Sequence, residues 1–259
     1  MPSPCFRTAD GIMKARFEAD GDVIVVTGGA NGIGRALAVA AAGIGAKVII
    51  CDVDRAALDA VKAEHPSISC EMLDVGNRDA VMETFGRIER QHGHINGLVC
   101  AAAIQPRNLV HETPPEEWRR VISINLDGVV WCYQAAVKGM IARRRGSVIA
   151  FSSGLAHQGW PQASAYAATK GALIAFVKSA AKEVAQHRVK FNLIAPGVID
   201  TPQYRAANDG ADHERWRAST GVGTPDDVVG PLLFLLSDAG TMTASLLSRD
   251  LAYSAHDES

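Results

Sequence analysis

Short unbroken apolar runs alternate along this chain with longer stretches in which apolar residues recur every three or four positions. Runs bounded by turn residues read as strands buried on both faces. They fall at 23–26 (Val-Ile-Val-Val), 47–51, 68–73, 96–102, 147–151 and 189–195, and Leu246-Leu247 starts a last edge strand. The helical spacing predicts helices over 35–42, 55–64, 78–91, 115–125, 126–143, 163–186 and 225–236. In 78–91, Val81, Phe85 and Ile88 share one face. Buried strands alternating with helices predict a parallel sheet covered on both sides, and right-handed crossovers make it a single doubly wound α/β sheet. We expect an arm over 1–20 and one domain over 21–259. The long stretch 197–223 lacks periodicity and follows a predicted strand end, so it is expected to be an irregular, solvated lid over about 198–221.

The chain has 259 residues and a formal charge of −2, with 47% apolar and 21% charged residues. That composition is globular and excludes disorder as the main state. The near-neutral balance argues against nucleic acid as a partner, since phosphate binding needs clustered cations. The one dense cluster, Arg143-Arg144-Arg145, reads as a solvated helix end. Five scattered cysteines show no metal-ligand spacing, so no metal site is expected. They suit a reducing cytoplasm. No stretch has the length and apolarity of a membrane span, and the first twenty residues lack a secretory leader.

Thr27-Gly-Gly-Ala-Asn-Gly-Ile-Gly34 joins the first predicted strand to the first helix. Gly28 allows the tight turn, Gly32 lets backbone approach a pyrophosphate, and Gly34 allows close packing of helix on strand. Asn31, Gly32, Ile33 and Gly34 open the helix, whose free N–H groups suit phosphate. Asp52 ends the second strand, where a carboxylate can bind the adenosine ribose hydroxyls and repel a 2′-phosphate. Asn31 in place of a cation before Gly32 points the same way, to NAD rather than NADP.

Tyr166 and Lys170 stand four apart near the start of the long helix, on one face. Ser153 follows the fifth strand, and Asn125 lies between two helices. With the 27–34 loop, Asp52, Asp74-Val75 and Pro196-Gly197, these residues resemble the short-chain dehydrogenase/reductase family over about 20–240. The resemblance implies a Rossmann fold and hydride transfer between NAD(H) and a small or medium secondary alcohol or ketone. It makes Tyr166 the general acid/base, its phenol acidified by Lys170. Ser153 binds the substrate oxygen, and Asn125 positions a water linking Lys170 to solvent. Ala101, Ile199 and Thr201 join the cofactor contacts, and Asp74 accepts from the adenine amine. The family also implies a homo-oligomer, a dimer or tetramer. Ser153, Leu155, His157, Trp160, Gln162 and the 198–221 segment are expected to shape the substrate pocket.

Two motifs depart from the family pattern. Cys100-Ala101-Ala102-Ala103 replaces Asn-Asn-Ala-Gly, which removes two bracing amides and puts a Cβ where a glycine's backbone freedom is expected. Thr243-Ala244 and Asp250-Leu251-Ala252 replace a Thr-Gly and Asp-Gly-Gly pattern, which puts the edge strand and the usual assembly in question. Two other readings stay open: an NADPH-dependent 3-oxoacyl-thioester reductase, against which Asp52 argues, and a non-catalytic nucleotide-sensing protein on the same scaffold.

Overall fold

The computed structural model describes residues 15–208 and 210–250. Seven parallel strands form one sheet in the order β3-β2-β1-β4-β5-β6-β7. They are β1 (Val23–Thr27), β2 (Lys47–Asp52), β3 (Ser69–Met72), β4 (Ile95–Cys100), β5 (Gly146–Phe151), β6 (Val189–Ala195) and β7 (Leu246–Ser248). The helices are α1 (Gly32–Gly43), α2 (Arg55–Glu64), α3 (Arg78–His92), α4 (Pro115–Ile122), α5 (Gly128–Arg143), α6 (Leu155–Gln158), α7 (Ser164–Val184), α8 (Pro202–Ala207), α9 (Gly210–Ser219) and α10 (Asp226–Leu236). The strand order reverses between β1 and β4, and in such sheets a crevice opens beyond the strand C-termini at that reversal.

Alternation within the apolar strands sends side chains to both faces. Val23 and Val25 pack with Phe85 of α3, Cys132 of α5 and Leu173 of α7. Ile24 and Val26 pack with Leu37 of α1, Leu58 of α2 and Leu232 of α10. Each such fully buried aliphatic side chain contributes roughly 2 kcal/mol of hydrophobic stabilisation. The expected arm lies partly outside the described residues, but Phe17 packs on the second of these cores. No helix among the described residues is long and apolar enough to cross a membrane.

One expectation changes here. The 198–221 segment is not irregular: it folds into α8 and α9, and its ends are joined by Gly223 N donating to Val198 O and Asp200 N donating to Gly223 O, each at 2.8 Å. Asp209 of the expected lid lies outside the described residues. The arginine cluster closes α5 with Arg144 and Arg145 exposed, as expected, and it also finds distant partners: Arg143 donates to Ile95 O at 2.7 Å, Arg144 to Gln186 O at 2.9 Å, and Arg145 faces Asp22 at 3.5 Å. Their partners lie far away in sequence, so composition could not reveal them.

The edge strand survives the loss of its glycines because buried side chains hold it. Asn192 Nδ2 donates to Met242 O at 2.9 Å and its Oδ1 accepts from Ser245 N at 3.1 Å, while Phe191 N donates to Thr243 Oγ1 at 3.0 Å. Leu251 and Ala252 lie outside the described residues. Ala244, however, sits at φ +59°, where a Cβ is crowded by the backbone. Ala244→Gly is therefore expected to raise unfolding free energy by about 1 kcal/mol in a urea titration; a loss of stability would mean that the Ala244 methyl contributes more packing than the strain costs. At the fourth strand end the opposite holds. Ala103 is absent from the positive-φ residues, so its Cβ carries no such strain.

Candidate active site

The C-terminal ends of β1, β2, β4, β5 and β6 open on a cavity of about 550 Å³ that runs from Asp52 and Asp74 at one end to Ser153, Tyr166 and Lys170 at the other. Gly28 turns the chain at φ +66°, and a Cβ there would lie 2.6 Å from Ala102 N, so the first loop and the end of β4 form one thin wall. Gly32, at φ +52°, faces the methyl of Thr201, and a side chain at Gly34 would run into the Gly28 carbonyl. Asn31 is the N-cap of α1 but makes no side-chain cap, and the first turn holds no acidic residue. Its N–H groups are left for an anion. Gly32, Ile33 and Gly34 line the cavity together with Ala101, Ile199 and Thr201. A diphosphate-bridged dinucleotide fits this cradle in shape and charge.

Asp52 uses its carboxylate to organise the loops. Oδ2 accepts from Ala30 N at 3.1 Å, and Oδ1 accepts from Val53 N at 2.8 Å and Asp54 N at 3.2 Å. Asp74 Oδ1 accepts from Gly76 N at 2.9 Å and Oδ2 pairs with Arg120 at 2.8 Å. The Asp74 carboxylate expected to meet adenine is thus already engaged by a cation. Arg120 also lines the cavity and was not singled out in the sequence, where it reads as helix surface charge.

Asn125 sits in one π-helical turn (Ser123–Asp127) between α4 and α5 and is fully buried. Such turns recur at functional sites because the extra residue breaks the regular helical ladder. Its Oδ1 accepts from Ile104 N at 2.9 Å, and its Nδ2 donates to Ile104 O at 2.9 Å and to Thr169 Oγ1 at 3.4 Å. The side-chain amide thus clamps the chain after β4. The Thr27 hydroxyl, whose residue pairs with Cys100 across β1 and β4, remains buried without a hydrogen-bond partner.

Ser153 lies just past β5, with Leu155 N donating to its Oγ at 3.2 Å. Tyr166 and Lys170 project from the first turns of α7. Tyr166 lines the cavity beside Ser153, and Lys170 Nζ lies 5.4 Å from the Tyr166 ring centre while donating to Phe151 O at 2.9 Å. In the protein alone the Tyr166 phenol is raised rather than lowered. Burial pushes the phenol up to about 12 against a downward pull from the Ser153 hydrogen bond. The same burial pulls Lys170 down to about 8, because desolvation disfavours the charged form of either group.

On the substrate side Leu155 lines the cavity as expected, with Tyr204 and Trp216 from the 198–221 segment. His157 and Gln162 are exposed, and Trp160 and Gln162 line a neighbouring cleft instead. Arg107, which also lines the cavity, was missed. Arg107 bonds to residues between 54 and 101 positions away, and no local periodicity signals that.

The short chain dehydrogenase family model matches residues 22–212. The chain belongs to that family. It is 34% identical over 225 residues to a 3-oxoacyl-(acyl-carrier-protein) reductase of Thermotoga maritima, covering 85% of this chain and 92% of the relative. It is 32% identical over 229 residues to 2-keto-3-deoxy-L-fuconate dehydrogenase of Xanthomonas campestris, covering 85% and 75%. The crystal structure of gox2181 superposes with a TM-score of 0.82 at 31% identity, covering 89% of this chain and 95% of that one. This short-chain dehydrogenase is thus an oxidoreductase built on a doubly wound sheet.

Proposed function

We propose that the protein moves a hydride between NAD(H) and a small or medium secondary alcohol or ketone. The observation that carries this reading is that Ser153, Tyr166 and Lys170, one helical turn on, line one end of a cavity whose other end holds Asp52. Ser153 Oγ donates to the substrate oxygen and holds it beside Tyr166. In the oxidative direction the Tyr166 oxygen takes the hydroxyl proton; in the reductive direction it returns one to the forming alkoxide. Lys170, held by Phe151 O, supplies positive charge near the phenol and a donor for the cofactor ribose. Asn125 acts as a positioning residue through its clamp on Ile104. The chemistry a bound nicotinamide supplies is hydride exchange with the substrate carbon. Gly28, Gly32 and the α1 N-terminus would hold the diphosphate, Asp52 the adenosine ribose, Asp74 and Val75 the adenine, and Ile199 and Thr201 the nicotinamide end.

Asp52 supports NAD over NADP, since its carboxylate stands where a 2′-phosphate would bring like charge together. Asp52→Asn keeps an acceptor but removes the charge. The NADP-to-NAD affinity ratio in a fluorescence titration is expected to rise about tenfold, the scale of one like-charge repulsion near the surface. If the parent already binds NADP more tightly, the assignment fails. The relatives named as 3-oxoacyl-(acyl-carrier-protein) reductases favour a second reading, NADPH-dependent reduction of a 3-oxoacyl thioester, which the same titration separates. The apolar Met242 and Leu247 exposed at the β7 edge support self-association as a dimer or tetramer.

A further inference from the structure

Beside the catalytic cavity lies a second cleft of about 600 Å³, walled by Trp160, Pro161, Ala206 and Arg215. Arg107 and Asn208 line both spaces. Arg107, from the loop after β4, donates to Ala207 O at 2.8 Å, to Pro161 O at 3.1 Å and to Asn208 Oδ1 at 2.9 Å, and faces Asp212 at 3.8 Å. Asn208 Nδ2 donates to Tyr204 O at 2.8 Å, and its Oδ1 also accepts from Trp216 Nε1 at 3.3 Å. Three segments remote in sequence thus meet at one guanidinium and one amide.

Ala207 and Trp216 anchor this junction from the buried side. Because Arg107 and Asn208 line both spaces, the junction stands between the catalytic cavity and the outer cleft. The apolar surface continues across it, because Trp216 on the inner side and Trp160 on the outer side are in contact, with ring centres 4.5 Å apart and planes tilted by 34°. The Arg215 guanidinium lies 4.8 Å over Trp160. The inner cavity must hold the nicotinamide end of a cofactor as well as the substrate, which leaves room for a short chain only.

We propose that Arg107 and Asn208 form a partition that sets the upper length of the substrate, and that the Trp160 cleft is the path a longer apolar chain takes when the partition is removed. This rests on the ketone/alcohol reading of the site and adds the residues that limit its substrate size. The occupant of the cleft is an alkyl chain attached to the reacting carbonyl, which slides over the paired indole faces. A half-buried guanidinium bonded on several sides is a stiff stop, since moving it breaks several bonds at once.

The test is kcat/KM for methyl ketones of increasing length, from butanone to undecanone, with NADH and NADPH both supplied, for the parent, Arg107→Ala and Asn208→Ala. The long-to-short ratio is expected to rise about tenfold in Arg107→Ala, the scale of a few methylenes gaining burial. A smaller rise in the same direction is expected in Asn208→Ala. That variant leaves the Arg107 bonds to Ala207 and Pro161 in place, so it carries the test if Arg107→Ala fails to fold in a thermal melt. A ratio that stays flat or falls in the folded variants, or an equal loss at all lengths, overturns the partition while leaving the dehydrogenase reading standing. A parent that reduces no ketone with either coenzyme overturns both.

Discussion

Tyr166→Phe is expected to lower turnover by about a thousandfold, the range of a positioned general acid or base, while NADH affinity stays within about threefold of the parent. Phenylalanine keeps the ring that Lys170 faces but removes the only Tyr166 atom able to exchange a proton or bond to Ser153. The structure adds a pH signature. Because burial holds the phenol up at about 12, the reactive phenolate is a small fraction at neutral pH in the protein alone. Alcohol oxidation should therefore gain about tenfold in kcat/KM per pH unit on the acid side of the Tyr166 pKa in the loaded enzyme. A pH-independent oxidation rate, or a Tyr166→Phe variant with ordinary turnover, removes the acid/base role. The sequence-based expectation placed Lys170 as the agent that acidifies Tyr166. In the folded chain burial raises the phenol, and the downward pull comes from Ser153.

Lys170→Met should abolish most activity and change how stability depends on pH. The folded Lys170 titrates at about 8 rather than at the 10.5 of an exposed lysine. Below pH 8 both folded and unfolded chains carry the ammonium, and the folded chain bears the full burial cost, on the order of 3 kcal/mol. Between pH 8 and 10.5 the unfolded chain binds more protons than the folded one, so stability rises with pH and this cost fades. Relative to Lys170→Met, the parent should therefore gain stability across that window in urea titrations at stepped pH. The variant loses the donor to Phe151 O, which costs about 1–3 kcal/mol at all pH values. That offset moves the curves apart without changing the slope. Parallel curves from pH 8 to 10.5 would show that Lys170 is not desolvated.

The Thr27–Gly34 loop, Asp52, Ser153, Tyr166 and Lys170 were legible in the sequence because each sits at a fixed offset from the end of a strand or within one helical turn. The parallel sheet was legible for a similar reason, since a strand buried on both faces must be apolar throughout. Helical periodicity in 115–143 marked two helices but not the π-helical turn that carries Asn125, because one inserted residue leaves the apolar spacing nearly unchanged. The 198–221 segment was misread as irregular because α8 and α9 are short and polar, and long-range bonds support them in place of an apolar stripe.

The order of apolar runs, the glycines at the turn and the four-residue Tyr–Lys spacing determined the fold, the cofactor cradle and the family of this protein, since these depend on contacts between near neighbours. The tertiary structure alone decided that Asn125 clamps Ile104, that Arg120 engages Asp74, that burial raises Tyr166 and lowers Lys170, and that Arg107 reaches the 198–221 segment. Desolvation and pairing across a cleft depend on which distant residues come together, and that is fixed only when the whole sheet has closed around them.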